Sequence, residues 1–510
     1  MEIFSAEQIR AWDQFTIEHE PIASIDLMER AAAGCFSWLE KNGYLDRSFS
    51  IYCGKGNNGG DGLALARLLS DQDCSVTVHI LEFGHKGTDD FQANLARIHA
   101  TPVEVRFIQG TDSLQPVPGP DVIIDALLGS GLNRALDGVT ARLVEHLNQS
   151  GNEIIAIDIP SGLFVDQSSK GNTVIKAVHT LSFQCFKLAF LVAENAAFTG
   201  LVHILNIGLH PAYLKNVQRE LELADEGIIR SIFRPRGPFS HKGSFGHALL
   251  IAGSYGKMGA ALLSSRACLR SGAGLLTIHV PACGYNILQT ALPEAMVLTD
   301  PEEKINTRVG DLSTYSVVGI GPGIGTETRT KALLEDVLRQ SKKPIVLDAD
   351  ALNILGATPF LFNLLPPYSI LTPHPKEFER MFGPSTDDFA RLLLACRKAK
   401  EHRVVIVLKG HYTFVAMPGG KGYFNLTGNA GMAKGGSGDA LTGILTALLA
   451  QGYSAGEAAI LGVHLHGLAG DLAAECISQE SMLPSDLIEN LGKAFLRLQG
   501  PGSNSILPES

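Results

Sequence analysis

Short strand-like runs that close in clusters of Gly, Asp and Asn, with helix-period segments between them, recur along this chain. In the first part they are SIYC followed by GKGNNGGDG, then VTVHILEF, VIIDALLGSG and IIAIDIPSG. The intervening segments GLALARLLS and DDFQANLARIHA carry apolar residues at helical spacing. Parallel neighbours need a long crossover and a helix supplies it, so the alternation of strand and helix predicts a doubly wound parallel sheet. Binding loops of such sheets gather at the carboxyl ends of the strands, where every Gly-rich cluster of the first part falls.

The same grammar restarts after an interruption. LHPAYLKNVQRELELADEGIIRSIFRPRGPFSHKGSFG mixes helix, charge and a Pro/Arg/Gly cluster, and reads as a connection between domains. Beyond it come HALLIAGSYG, a helix around AALLSSRACLRSG, LLTIHV, SVVGIGPGIG, PIVLDADAL, SILTPHPKEF, VVIVLKGHYTFVA and helices opening at GGSGDALTG. The expected organisation is two α/β domains, residues 1–220 and 221–510. A chain of 510 residues exceeds what one core supports, and its 54 glycines suit many tight turns. The closing GPGSNSILPES reads as a frayed tail.

A net charge of -10 at pH 7 argues against a general nucleic-acid or membrane-surface binder, since both partners are anionic. Local anion sites built from backbone N–H groups stay open. The 8 cysteines are scattered singly, without CxxC or zinc spacing. The start, MEIFSAEQIRAWDQF, lacks signal-peptide regions, and no uninterrupted apolar stretch reads as long enough to cross a bilayer. The expectation is a soluble cytoplasmic protein.

Gly54, Gly56 and Gly59 satisfy GxGxxG between a strand and a helix, with Glu82 near the end of the next strand, as in an ordinary dinucleotide fold. Asn57, Asn58 and Asp61 crowd the loop, however. A carboxylate in the helix's first turn competes with a pyrophosphate for the positive N-terminus. The loop thus offers side chains as well as backbone to a ligand; a plain Gly-rich turn is the alternative.

GKGNNGGDG, DALLGSGL and DIPSGL in this order resemble the NAD(P)H-hydrate epimerase family over most of residues 1 to 220. The resemblance implies a Rossmann-like domain with a potassium ion held by Asn58, Asp125 and Ser161, an oxygen set of the kind hard cations prefer. It also places the hydrated nucleotide against Asn57, Asn58, Gly59, Gly60 and Asp61, and against Gly129, Ser130, Gly131, Leu132, Asn133, Arg134 and Ala135. The implied reaction inverts the ring carbon that carries the hydroxyl. Loss of water to an iminium and its return to the other face needs an acid and a base across the ring. Asp158, which ends IIAID and also belongs to the nucleotide set, and Lys187, in SFQCFKLAF, are the candidates. A cap on the following turn is the alternative for Asp158. Leu188 and Ala189 follow Lys187 where the family continues Pro-Gly, and a surface or phosphate-facing lysine is its alternative.

In NAGMAKGGSGDALTG, Gly435, Gly436 and Gly438 open a helix and form a nest of N–H groups for a transferring phosphoryl, and Asp439 is set to take a proton from the attacking hydroxyl. The sequence resembles the anion hole of ribokinase-like kinases; a helix start capped by Ser437 is the alternative. With SHKGSFG, LIAGSYGKMGAA, GIGPGIG, LDADALN and TPHPKEF, it resembles the ADP- or ATP-dependent NAD(P)H-hydrate dehydratase family over nearly all of residues 225 to 498. The resemblance implies that Ala260, Gly323, His374 and Asp439 contact the hydrate. Lys409, Gly410, His411, Tyr412, Thr413 and Gly438 would hold the adenine nucleotide. Lys376 stands where the family commonly has glycine. A buried histidine satisfied by backbone is the alternative for His374. Asp348 and Asp350 read either as strand-end carboxylates near magnesium or substrate, or as turn formers.

Together these resemblances imply repair of hydrated NADH and NADPH (NADHX and NADPHX). The first domain would exchange the R and S hydrates and the second would dehydrate the S form with ADP, or ATP, giving AMP, or ADP, and phosphate. Phosphorylation turns the ring hydroxyl into a leaving group, with Asp439 as base and Mg2+ accompanying the nucleotide. The competing reading is a small-molecule kinase behind a non-catalytic nucleotide-binding scaffold. A homo-oligomer is expected from apolar helix faces and family likeness.

Overall fold

The computed structural model describes residues 2–82 and 84–499, so the expected frayed tail from Gly500 lies outside the described residues. The chain divides into two compact units whose main boundary falls between Arg219 and Glu220, with the short segment Asp387–Phe389 grouped with the first.

The first unit is built on seven parallel strands: β1 (Phe49–Cys53), β2 (Val76–Leu81), β3 (Glu104–Ile108), β4 (Val122–Ala126), β5 (Ile154–Ile157), β6 (His179–Phe183) and β7 (Leu201–Leu205). Their order is β3-β2-β1-β4-β5-β6-β7. β1, β4 and β5 are buried along their whole length, which explains the Val/Ile-rich runs of β4 and β5 and the mainly apolar FSIYC of β1. Strand periodicity sends Ile51, Ile124 and Ile157 to one face, against Cys35 and Leu39 of helix Ser24–Lys41 and Leu65 of helix Asn57–Ser70. Tyr52, Ile123 and Ala156 go to the other, against Leu143 and Leu147 of helix Gly138–Gln149. The strand order reverses between β1 and β4, so the loops that follow them diverge and leave a crevice. Gly54 is demanded there, because a Cβ on it would lie 1.9 Å from the Leu127 carbonyl oxygen.

The second unit repeats the principle on ten strands: β8 (Leu221–Leu223), β9 (His247–Ile251), β10 (Leu275–Val280), β11 (Met296–Thr299), β12 (Val317–Ile320), β13 (Val346–Leu347), β14 (Ile370–Leu371), β15 (Val405–Leu408), β16 (Phe414–Ala416) and β17 (Gly422–Phe424). The order is β11-β10-β9-β12-β13-β14-β15-β16-β17-β8, with β16 antiparallel to both neighbours. Its switch point lies between β9 and β12. The segment read as a connection is folded in part: β8 pairs with β17, and helix Glu226–Ile232, capped by Asp225, buries Ile229 completely.

Helix Ala455–Ile477 bears on one expectation: Glu457, His464, His466 and Asp471 interrupt it, so it is not an uninterrupted apolar stretch. Its 23 residues and mean hydropathy of 1.2 are long and apolar enough to cross a bilayer by composition alone. Here it packs against helices Ser437–Ala450 and Pro484–Gln499, with Ala458, Leu461 and Leu465 fully buried. The apolar residues face protein on most sides, which is the other environment that such a composition serves.

Candidate active sites

The crevice of the first unit is a cavity of about 410 Å³. Helix Asn57–Ser70 opens into it at Gly56 without a side-chain cap, leaving the first-turn N–H groups without intrahelical partners. Asn57, Asn58, Asp61, Gly129, Ser130, Gly131, Leu132, Asn133, Arg134 and Asp158 line it. Asp61 is the fifth helical residue, in the second turn rather than the first, so it does not compete directly for the helix's N-terminal charge. Gly59 and Gly60 serve packing: a Cβ on Gly59 would sit 1.8 Å from the Gly54 carbonyl oxygen, and on Gly60 2.6 Å from Met28 Sδ. Ala135 is exposed and does not line the cavity.

Asp158 follows β5 with φ at 67°, a left-handed conformation uncommon outside glycine and tolerated best by Asn and Asp. Its Oδ2 accepts the Ser130 N–H at 2.8 Å, and its Oδ1 lies 2.8 Å from Lys187 Nζ. The carboxylate thus ties the loop after β4 to Lys187 instead of capping its own turn. Burial raises the Asp158 carboxyl, but the Lys187 ammonium and the Ser130 hydrogen bonds outweigh it and hold it below the usual aspartate value. Lys187 is neither a surface nor a phosphate-facing lysine. Its side chain has 0% exposure, and Nζ also donates to Ser182 Oγ and to the Asp158 carbonyl.

Helix Ala6–His19 brings Trp12 and Asp13 to the same cavity, a wall that no sequence motif announced. Burial, with the nearby Asp158 charge adding to it, pushes the Asp13 carboxyl up to about 7. Asp61 is raised well above its ordinary value by burial and by Asp158, Asp13 and Asp90.

Beneath the crevice, Asp125 and Ser161 share two hydrogen bonds: Ser161 Oγ donates to Asp125 Oδ1 at 2.6 Å and Ser161 N–H to Oδ2 at 2.7 Å. Burial raises the Asp125 carboxyl to about 6 in spite of these bonds. Neither polar atom of the buried Asn58 carboxamide has a hydrogen-bond partner. A fully buried carboxylate without a cationic side chain, a hydroxyl and an orphaned carboxamide oxygen fit a hard cation.

In the second unit, helix Ser437–Ala450 starts at Gly436, whose φ of 103° requires glycine, and no side chain caps it, Ser437 included. Asp439 is its third residue. Burial pushes the Asp439 carboxyl up to about 6, Asp348 adding to the rise and Lys409 opposing it. Lys409 Nζ lies 2.8 Å from Asp348 Oδ1, and Thr442 Oγ1 donates to Asp348 Oδ2 at 2.8 Å. A Cβ on Gly438 would sit 3.4 Å from Lys409 Nζ, an ordinary contact distance that places the ammonium beside the helix start.

Lys409, Gly410, His411, Thr413, Gly438 and His374 line one cavity of about 630 Å³. Tyr412, half-buried beside His411, does not line it. Another part of the wall includes Asn425 and Thr427, which no motif marked, and Asn429 and Ala430, which open the NAGMAKGGSGDALTG segment but were given no role; Asp471 organises it by accepting from Gly428 N–H and Asn429 Nδ2 at 2.9 Å each. His374 caps helix Pro375–Phe382, its Nδ1 accepting from the N–H groups of Lys376 and Glu377. The ring is therefore satisfied by backbone, as the alternative had it, yet its side chain is 44% exposed and borders the cavity. Ala260 and Gly323 meet at the switch point, where a Cβ on Gly323 would lie 3.1 Å from Ala260 Cβ. Asp350 accepts the Gly325 N–H at 2.8 Å and lies 3.5 Å from Lys257 Nζ.

The family model described as NAD(P)H-hydrate dehydratase matches residues 248–493, and that described as YjeF-related protein N-terminus matches residues 24–189. The bifunctional NAD(P)H-hydrate repair enzyme Nnr of Moorella thermoacetica is 34% identical over 516 residues, covering 98% of this chain and 97% of its own length. The enzyme of the same name from Escherichia coli is 34% identical over 493 residues, covering 96% and 93%. A crystal structure of ADP/ATP-dependent NAD(P)H-hydrate dehydratase from Bacillus subtilis, co-crystallised with ATP and Mg2+, is 32% identical with a TM-score of 0.48, covering 54% of this chain and 98% of that one. Relatives matched from end to end, with both family models in the same order, establish that the chain belongs to the family of bifunctional NAD(P)H-hydrate repair enzymes.

Proposed function

We propose that the chain works as two enzymes in series on hydrated NADH and NADPH. The first unit exchanges the R and S hydrates in the cavity beside Asp158. The second removes water from the S hydrate at the expense of ADP or ATP.

The observation that carries this reading is the placing of Asp439 at the uncapped start of a helix, next to the Lys409 that lines the 630 Å³ cavity. The ionised Asp439 carboxylate takes the proton from the ring hydroxyl as the oxygen attacks the terminal phosphoryl. First-turn N–H groups and Lys409 stabilise the charge on the transferred group. The ring nitrogen's lone pair then expels phosphate to give an iminium, and loss of a proton from the neighbouring ring carbon restores the dihydropyridine. Lys409, Gly410, His411 and Thr413 form one wall of the cavity that would take the nucleotide. No cluster of three His, Cys, Asp or Glu side chains forms a metal cage among the described residues, so Mg2+ would arrive on the nucleotide's phosphates.

In the first unit, Asn58, Asp125 and Ser161 would hold potassium, which would offset the buried Asp125 charge and fix the ends of β4 and β5. Lys187 keeps Asp158 ionised and oriented toward the ring. The same proposal places the chain in the cytoplasm as a homo-oligomer, and the eight free cysteines support a reducing compartment. Purified protein should exchange epimers without nucleotide and return reduced coenzyme only with it. Coenzyme return without nucleotide would sink the proposed dehydration chemistry.

A further inference from the structure

Epimerisation needs two proton-handling groups at the ring carbon, and the structure leaves one of the two sequence candidates within reach. Lys187 has no exposed surface and directs its ammonium to Asp158 and Ser182. It is a positioning residue. The group that works against Asp158 has to be found elsewhere in the cavity.

Asp13 is on the cavity wall, on a helix held rigidly by its neighbours. The helix opens with a capping box between Ser5 and Gln8. Trp12 Nε1 donates to the His210 carbonyl at 2.9 Å, and the Trp12 ring stacks on Tyr213 at 5.7 Å. On the next turn, Thr16 Oγ1 accepts the His210 N–H at 3.0 Å. The charged and titratable groups around Asp13 are Asp158, Lys187, Asp61 and Cys185, with Arg10 on the same cavity wall.

We propose that Asp13 is the second acid–base residue of the epimerase, paired with Asp158 at the hydroxyl-bearing ring carbon. This rests on the epimerase reading of the first unit. Protonated Asp13 gives its proton to the departing hydroxyl as the C–O bond breaks and the ring nitrogen's lone pair forms the iminium. Water then adds to the opposite face and gives one proton to the Asp158 carboxylate. Proton exchange with solvent resets the pair, and in the reverse direction the two carboxyls trade roles. No atom or electron is gained overall, as inversion requires.

The electrostatics support this division. Lys187 and Ser130 keep Asp158 ionised, whereas burial and the Asp158 charge leave Asp13 near neutrality, at about 7. Asp61 faces the same cavity, but burial and the charges of Asp158, Asp13 and Asp90 raise its carboxyl well above the ordinary value.

The test is epimer exchange by the full chain without nucleotide, followed chromatographically from each pure hydrate across pH. The wild-type rate should fall as pH rises through about 7, where Asp13 loses its proton. Asp13→Asn should lower kcat about a hundredfold or more with little change in KM, and erase that alkaline limb. Asp13→Glu should restore the limb, and Asp61→Asn should keep it whatever its rate. Nucleotide-dependent dehydration of the S hydrate by Asp13→Asn reports that the variant is folded. Exchange within threefold of wild type in Asp13→Asn, an alkaline limb that survives in it, or a limb lost instead in Asp61→Asn would overturn the assignment. Absence of exchange by the wild-type chain would instead overturn the epimerase reading itself, and the assignment with it.

Discussion

Lys187 Nζ lies 2.8 Å from Asp158 Oδ1, and the lysine side chain that makes this contact is wholly buried. A buried ammonium is tolerated only when a carboxylate and further acceptors replace its water, and here Asp158 and Ser182 do so. The pair is therefore a structural commitment as well as a catalytic one. It fixes Asp158 in a backbone conformation that few aspartates adopt.

Removing the ammonium by Lys187→Met should raise the Asp158 carboxyl and move the acid limb of epimer exchange to higher pH. Because the Asp158 value is depressed in the folded state, its stabilisation is present above the ordinary value of 3.8 and is lost as pH falls through the depressed one. Melting curves of the variant should show a loss of about 3–5 kcal/mol at neutral pH, the usual result of leaving one buried charge unpaired. An unshifted acid limb in a folded variant would separate Lys187 from the electrostatics of Asp158.

Asp439→Asn should slow dehydration by about a thousandfold while leaving epimer exchange intact. In the wild type, dehydration should fall as pH drops through about 6, because Asp439 must be ionised to accept the proton. Stopped assays of coenzyme return at saturating nucleotide, from pH 5 to 8, read this directly.

Neighbours of Asp439 should move that limb in opposite directions. Asp348→Asn removes a negative charge and should shift the limb to lower pH; Lys409→Met removes a positive one and should shift it higher. Lys409→Met should also raise the nucleotide KM about tenfold or more, since the ammonium lines that cavity. Shifts of the same sign in both variants would contradict the arrangement.

Potassium should stabilise the chain and tetramethylammonium should not. At a hundredfold excess over Kd the gain is about 2.7 kcal/mol, readable as a rise in Tm. Asp125→Asn should abolish the difference between the two salts. An equal rise in that variant would place the ion elsewhere.

The α/β architecture was legible because β1, β4 and β5 are buried on both faces, which favours mainly apolar runs that stand out against the loops. Gly54 and Gly436 were legible for the same kind of reason: one meets a carbonyl at contact distance and the other sits at positive φ, so no other residue serves. Asp13 was not legible. It belongs to an ordinary amphipathic helix and acquires its character only when folding buries it beside Asp158. Lys187 was visible as a residue but not as a role, because burial decides whether a lysine meets substrate or holds a neighbour. Asn425 and Thr427 escaped for lack of any motif, and Asn429, though it opens a motif, has its place set by Asp471 on a helix far along the chain.

The most direct test of two enzymes in series starts from an equal mixture of the hydrate epimers with ADP or ATP and follows the return of reduced-coenzyme absorbance. The wild-type chain should recover the whole mixture, while Asp158→Ala should recover promptly only the half that is already in the S form. A stable phosphorylated product without coenzyme, or complete prompt recovery by Asp158→Ala, would contradict the account.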